Sequence, residues 1–497
     1  MKNITFTPAT EQLKLLHSGV ISAVDLLEIY ISRYELHNAA LNAIVTTDFK
    51  TAREQARLAD KQIKSSLDSG AEVLPLLGLP MTIKDTIEVT GMVTSAGSLS
   101  LKDYRPPRDA TVVERLRKAG AIIFAKTNTP FFAMDFQTYN KLYGTTNNPW
   151  DLKRTPGGSS GGAAAALAAG LTALEIGSDL GGSIRNPASY CGVYGHKSSF
   201  EIVPGRGHIP PPPGVLGSPD LAVLGPLARS ADDLELALNI IAGPESPAHS
   251  PWQISLIKDR PDTLADYRIA TLTKHPLTEV DESVLAVINN CVDALGIAGC
   301  SISKETAPDI DLKLAYHTYF GLMAAMIGAG LPASARRSFK LMKPIVRLLQ
   351  KLGLVKPVGF GGLVVNSTGT HQQWALMDGL RLQMKQAFTE FFRAHDVLLC
   401  PVTATPAFEH MHKGSVYSRS QVVNGKKQAY SDHLVWAGMA TLCGLPSTVA
   451  PIGKTADGLP VGIQIIGDFG RDLLTIDFAR KLAAVVPAYQ APEAYTE

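Results

Sequence analysis

The chain lacks an excess of charge of either sign, lacks closely spaced cysteine pairs and lacks any long apolar run, and each absence removes a class of protein. Forty-seven Lys and Arg face 45 Asp and Glu, a formal net charge of +2 over 497 residues. A nucleic-acid binder needs a surplus of cations to neutralise many phosphates, so nucleic acid is not an expected partner. The five cysteines, Cys191, Cys291, Cys300, Cys400 and Cys443, form no Cys-x-x-Cys pair and are odd in number. They read as reduced thiols rather than a disulfide framework or a zinc ribbon. His410-Met411-His412 offers two metal ligands with no third in view, so neither metal nor cofactor is expected. The Ala-rich stretch from Ala163 to Leu174 is too short to span a bilayer. The opening MKNITFTPATEQLK has no apolar h-region, and a cytoplasmic location is the expectation.

What is present is the balance of a compact folded chain, with 45% hydrophobic and 19% charged residues. Leu13, Leu16, Ile21, Val24, Leu27 and Ile31 recur at helical spacing and predict a helical layer over 1–70. From Val73 short apolar runs bounded by Pro and Gly predict strands at Leu76–Ile83 and Ala121–Ala125, with a helix at Val112–Lys118 between them. Arg268–Leu272, Val397–Val402 and Val461–Ile466 read as further strands separated by helices. The expectation is an α/β fold, a large mixed and mainly parallel sheet with helices on both faces. The chain is read as a single domain, 1–497, with a chemistry-bearing region at 71–243, a variable helical layer at 244–395 and a return to the sheet at 396–497. In the variable layer, Phe320–Ala333 is apolar. It is followed by Arg336, Arg337, Lys340, Lys343, Arg347, Lys351 and Lys356 with no acidic residue among them. Two readings stand for this segment: a buried helix then a solvated one broken at Pro344, or a basic amphipathic segment, 336–356, that contacts a membrane surface peripherally.

Pro156-Gly157-Gly158-Ser159-Ser160-Gly161-Gly162 and Gly181-Gly182-Ser183-Ile184-Arg185 concentrate glycine around serine. Glycine gives up the most backbone entropy on folding, so such clusters imply close backbone approach to a ligand or angles closed to other residues. Neither phosphate-loop pattern is present. Gly157 to Gly161 formally matches Gly-x-Ser-x-Gly, but the residues before it, Asn147 to Pro156, compose a loop where a nucleophile elbow needs a strand.

These segments, with Gly78-Leu79-Pro80, Ile83-Lys84-Asp85, Lys126-Thr127-Asn128-Thr129-Pro130, Gly177-Ser178-Asp179-Leu180 and Cys191-Gly192-Val193-Tyr194-Gly195-His196-Lys197, resemble the amidase-signature family. The resemblance is dense over 70–230 and looser at both ends. It implies a serine amidase in which Ser183 is the nucleophile, Ser159, on a cis peptide, the proton relay, and Lys84 the base. It also implies an oxyanion hole from the N–H groups of Leu180, Gly181, Gly182 and Ser183, with Asp179 and Arg185 as scaffold. Chemistry favours such a set, because a serine needs its proton removed and a lysine can take it only when burial keeps the amine neutral. In the family the segment holding Phe131, Ala133 and Met134 lines the acyl side, so these residues and Ser160 are the expected substrate contacts for a small amide, with an apolar preference. Leu180 stands where Thr is common, and Ser198-Ser199 replaces the usual Pro-Thr, which bears on substrate preference. The same signature occurs in the catalytic subunit of tRNA-dependent amidotransferases, although Asn186 stands where those show Gln. A non-catalytic protein of the same fold is the third reading. A homodimer is a candidate assembly.

Overall fold

The structure, a computed structural model, describes residues 4–215, 219–245 and 253–496. Helices α1 (Ala9–His17) and α2 (Ala23–Leu41) precede strand β1 (Ile44–Thr47), and α3 (Phe49–Ser69) follows it. Their ends follow local chemistry. Ser22 accepts from the Asp25 N–H and Asp48 from the Thr51 N–H at the starts of α2 and α3, while left-handed Asn42 and Gly70 stop them. Next come β2 (Pro80–Lys84), α4 (Thr111–Lys118) and β3 (Ile122–Thr127), then the small ladder of β4 (Tyr139–Asn140) with β5 (Gly144–Thr145). Helix α5 (Gly161–Ala168), β6 (Glu175–Asp179), α6 (Arg185–Cys191), β7 (Tyr194–Lys197), β8 (Val223–Ala228) and α7 (Ala231–Ile241) complete the glycine-rich region. Beyond it, β9 (Arg268–Thr271), α8 (Glu282–Ile297) and β10 (Ser301–Ser303) precede four helices, α9 (Leu312–Gly330), α10 (Ala333–Lys351), α11 (Gly359–Asn366) and α12 (His371–Ala394). The chain returns through β11 (Val397–Pro401), the β12 (Ser420–Val423) and β13 (Lys426–Ala429) hairpin, α13 (Leu434–Cys443), β14 (Ser447–Lys454), β15 (Pro460–Ile466) and α14 (Asp472–Leu482).

Eleven strands form one sheet in the order β1-β3-β2-β6-β8-β7-β14-β15-β11-β9-β10. It is α/β and mixed, as expected, but the parallel share is smaller than expected. Parallel pairing is confined to β3-β2-β6 and β11-β9-β10, and the pairings between those blocks are antiparallel. The short turn at 455–459 between β14 and β15 explains part of this, since a parallel pair needs a crossover of a dozen or more residues. The strands expected at 122, 268, 397 and 461 lie within a residue or two of their predicted bounds, while the run from Leu76 becomes strand only at Pro80. Helix α10 runs unbroken through Pro344, against the expected break; its exposed position needs no tight packing of the displaced turn.

Strand β2 is buried at all five positions, and Lys84 is its last residue. Its parallel neighbour β6 ends at Asp179. The two residues therefore stand at the carboxyl ends of adjacent parallel strands, where α/β sheets open their ligand crevices.

Candidate active site

Lys84 is fully buried, and its Nζ donates to Ser159 Oγ at 2.6 Å and to Ser178 Oγ at 3.0 Å. Burial pushes its pKa down to about 7 against the opposing pull of the Asp179 and Glu175 carboxylates. A large part of the amine is thus neutral at ordinary pH, the state in which it can accept a proton.

The Gly158–Ser159 peptide is cis. Glycine is required here by contact as well as conformation. A Cβ on Gly158 would lie 2.7 Å from the Asp135 carbonyl and from the Gln137 N–H, and Gly157 adopts φ +86°. The Ser160 N–H donates to the Ser183 carbonyl at 3.0 Å, which ties the 157–162 loop to the 179–185 loop. Ser159 is fully buried and Ser183 is partly exposed, so Ser183 is the one of the two open to an incoming molecule.

The second loop is built around a buried ion pair. Asp179 accepts from the N–H groups of Gly182 (2.9 Å) and Ile184 (3.0 Å), and its two oxygens meet Arg185 Nε (3.0 Å) and Nη2 (2.7 Å). Burial alone would raise this carboxyl, but Arg185 and the N–H donors hold it at about 2. Gly182 therefore departs from expectation, since its N–H is already given to Asp179 and is not a free donor. The N–H groups of Leu180, Gly181 and Ser183 donate to no protein atom among the described residues, which leaves three of the four expected donors open. Tyr319 on α9 is fully buried and donates to the Leu180 carbonyl at 3.0 Å, fixing the loop from the helical layer.

The protein-family model Amidase matches residues 25–476, nearly the whole chain. The chain belongs to the amidase family. The A component of the glutamyl-tRNA(Gln) amidotransferase of Deinococcus radiodurans is 32% identical to this amidase over 501 residues, with 97% of each chain covered. Among solved structures, 6-aminohexanoate cyclic dimer hydrolase complexed with substrate aligns at a TM-score of 0.76 and 25% identity, covering 99% of this chain and 100% of the other. A bacterial aryl acylamidase of the amidase-signature family shares the fold at a TM-score of 0.80 and 24% identity, covering 99% and 98%.

Three of the four expected substrate contacts of this amidase, Phe131, Ala133 and Met134, lie on one segment. Phe131 and Met134 are each 50% exposed, and Phe132 and Ala133 carry φ of +47° and +58°. Non-glycine residues held at such angles concentrate at ligand sites. The following residues, Asp135 to Gln137, pack on the backbone of Gly158. Ser160, the fourth expected contact, is fully buried, and its Oγ lies 3.5 Å from the Ser178 carbonyl, so it faces the protein. His410 Nε2 pairs with Asn147 Oδ1 at 2.9 Å and His412 stacks on Tyr139 at 4.0 Å, so each imidazole has a structural neighbour. Among the described residues no cluster of three or more His, Cys, Asp or Glu could hold a metal.

Three residues join the site that the sequence reading does not assign to it. Ser178 is the second partner of Lys84, Tyr319 holds the Leu180 carbonyl, and Glu175 is a fully buried carboxyl bonded by Thr82 Oγ1 and, at 3.2 Å, by Thr127 Oγ1. Ser178 lies inside the Gly177–Leu180 motif; for the other two only the sheet register and helix packing supply the signal.

Proposed function

We propose that this amidase hydrolyses a small carboxylic amide, aryl or otherwise apolar, to an acid and an amine through an acyl-enzyme on Ser183. Lys84 removes the Ser183 proton through Ser159, and the same path returns it to the departing amine. The N–H groups of Leu180, Gly181 and Ser183 stabilise the oxyanion. The observation that carries this reading is the fully buried Lys84 amine 2.6 Å from Ser159 Oγ, in a loop bonded to the Ser183 backbone. The test is turnover of anilides and short aliphatic amides by the purified chain alone. Hydrolysis of one of these classes is expected, and a chain inert towards all of them would remove the proposal.

The similarity to the amidotransferase component favours a second reading, in which the same chemistry releases ammonia from an amide for a partner-held substrate. Asn186 in place of the Gln of that group weighs against it. Release of ammonia from glutamine only in the presence of further subunits would establish the second reading over the first.

Glu175 gives a prediction about pH. Burial pushes its carboxyl up to about 8, against the Thr82 and Thr127 hydrogen bonds, and when ionised it raises the pKa of Lys84. Glu175→Gln keeps the hydrogen-bond acceptor and removes the ionising oxygen, so the Lys84 ammonium loses a partner and deprotonates more easily. Because that carboxyl is largely protonated below about 8, its pull on Lys84 near pH 7 is small, and the acidic limb of kcat/KM should move to lower pH by at most a few tenths of a unit, with the plateau little changed. A limb moved by a full unit in a pH series would show that Glu175 is ionised beside the base.

A further inference from the structure

Helix α10 turns apolar side chains to solvent. Leu341 is 79% exposed, Ile345 64%, Leu348 57% and, just past the helix end, Leu352 61%. Their spacing of four, three and four residues places them on a single stripe along the helix. Val346 is the only buried residue of α10, so the helix is anchored away from the stripe, which is left exposed among the described residues. Leu354 and Phe360 extend the apolar surface beyond the helix. An ordinary solvated helix would carry polar residues at these positions.

The charge beside the stripe has one sign. Lys340, Arg347 and Lys351 are exposed and immediately precede Leu341, Leu348 and Leu352, while exposed Arg337 stands one turn before Leu341, with Arg336 and Lys356 nearby. None of these six makes a salt bridge among the described residues. No Asp or Glu occurs anywhere from 312 to 377, although the whole chain is nearly neutral at +2. Positive charge is therefore gathered here rather than spread. The partner that fits is apolar just beneath an anionic surface. A second copy of the same face does not fit, since it would bring two arrays of cations together. Insertion across a bilayer is not at issue, because no helix among the described residues is long and apolar enough to cross one.

We propose that α10 and the segment to Lys356 form an in-plane contact for an anionic lipid surface. Leu341, Ile345, Leu348 and Leu352 enter the headgroup boundary, and the flanking Arg and Lys side chains neutralise lipid phosphates. The test is co-sedimentation of the full chain with phosphatidylcholine vesicles and with vesicles containing about 30% phosphatidylglycerol, at low and high salt. Binding to the anionic vesicles alone, weakened by salt, is expected. The triple variant Leu341→Ser, Ile345→Ser, Leu348→Ser should bind at least about tenfold more weakly, and Arg337→Glu with Lys340→Glu and Arg347→Glu should abolish binding. Amide hydrolysis in buffer and the melting temperature should be unchanged in both, since these side chains touch neither the site nor the core. The proposal is overturned if anionic vesicles do not bind the wild-type chain, or if the triple variant binds them equally well. It is also overturned if the wild type is a dimer that the triple variant converts to a monomer, which would make the stripe a contact between copies.

Discussion

Ser183→Ala removes amide hydrolysis, with kcat falling by about 10⁴-fold or more, while the folded chain is untouched. A nucleophile and its proton path act as a unit, so deleting the attacking oxygen leaves only binding and the oxyanion donors, and losses of this size are typical of such deletions. The fold has little to lose. Ser183 is partly exposed, its hydroxyl bonds to no side chain or carbonyl among the described residues, and the carbonyl that accepts the Ser160 N–H belongs to the backbone and stays in place. Stability should remain within about 0.5 kcal/mol of wild type, as for surface substitutions. Steady-state rates on an anilide, with a thermal melt of the same sample, check both halves. A fluorophosphonate adduct located by mass spectrometry on Ser183 in the wild type, and absent in the variant, identifies the attacking atom. A variant retaining more than about one part in a hundred of the activity would place the nucleophile elsewhere.

The parts of the site visible in the amino-acid order are those set by local chemistry. The apolar run ending at Lys84 marks a buried strand, and the glycines around Ser159 mark a backbone packed too tightly for a Cβ; the structure has both where they are expected. What stays hidden depends on register. Glu175 lies opposite Thr82 across β2 and β6, and Thr127 opposite Lys84 across β2 and β3, pairings that no reading of one segment provides. Gly182 reads as an open donor because its neighbours are open; the Asp179 carboxylate, folded back by Arg185, claims it instead. Strands β8 and β14 are masked in the sequence, since Gly225-Pro226 and Pro451 with Gly453 carry turn signals that sheet packing overrides. Tyr319 is unreadable for a different reason. It comes from the helical layer, where no segment matches a known pattern, and only the packing of α9 against α13 brings it over the loop.

Lys84→Met is expected to lower kcat/KM about as severely as loss of the nucleophile, and to change the pH dependence of stability in a way a merely structural lysine would not. The folded amine has its pKa lowered to about 7, while the unfolded amine keeps its ordinary value near 10.4. Between those values the unfolded chain binds a proton that the folded chain has released, so this group makes folding more favourable as pH rises from about 7 to about 10 and less favourable as pH falls. Methionine fills similar space without titrating. The difference between the melting curves of wild type and variant should therefore change steadily across that window and level off on either side, even though Glu175 and Lys197 titrate nearby in both proteins. The variant leaves Ser159 and Ser178 without their shared donor, which costs about 1–3 kcal/mol for each buried group and sets a constant offset rather than a slope. Kinetics place the role on the reaction path: wild-type kcat/KM should climb through pH 7 as the amine becomes neutral, and the residual rate of Lys84→Met should show no such limb. A residual rate that still climbed through pH 7 would assign that limb to another group, and a stability difference independent of pH would mean that the amine is charged in the folded protein; either would remove Lys84 as the base.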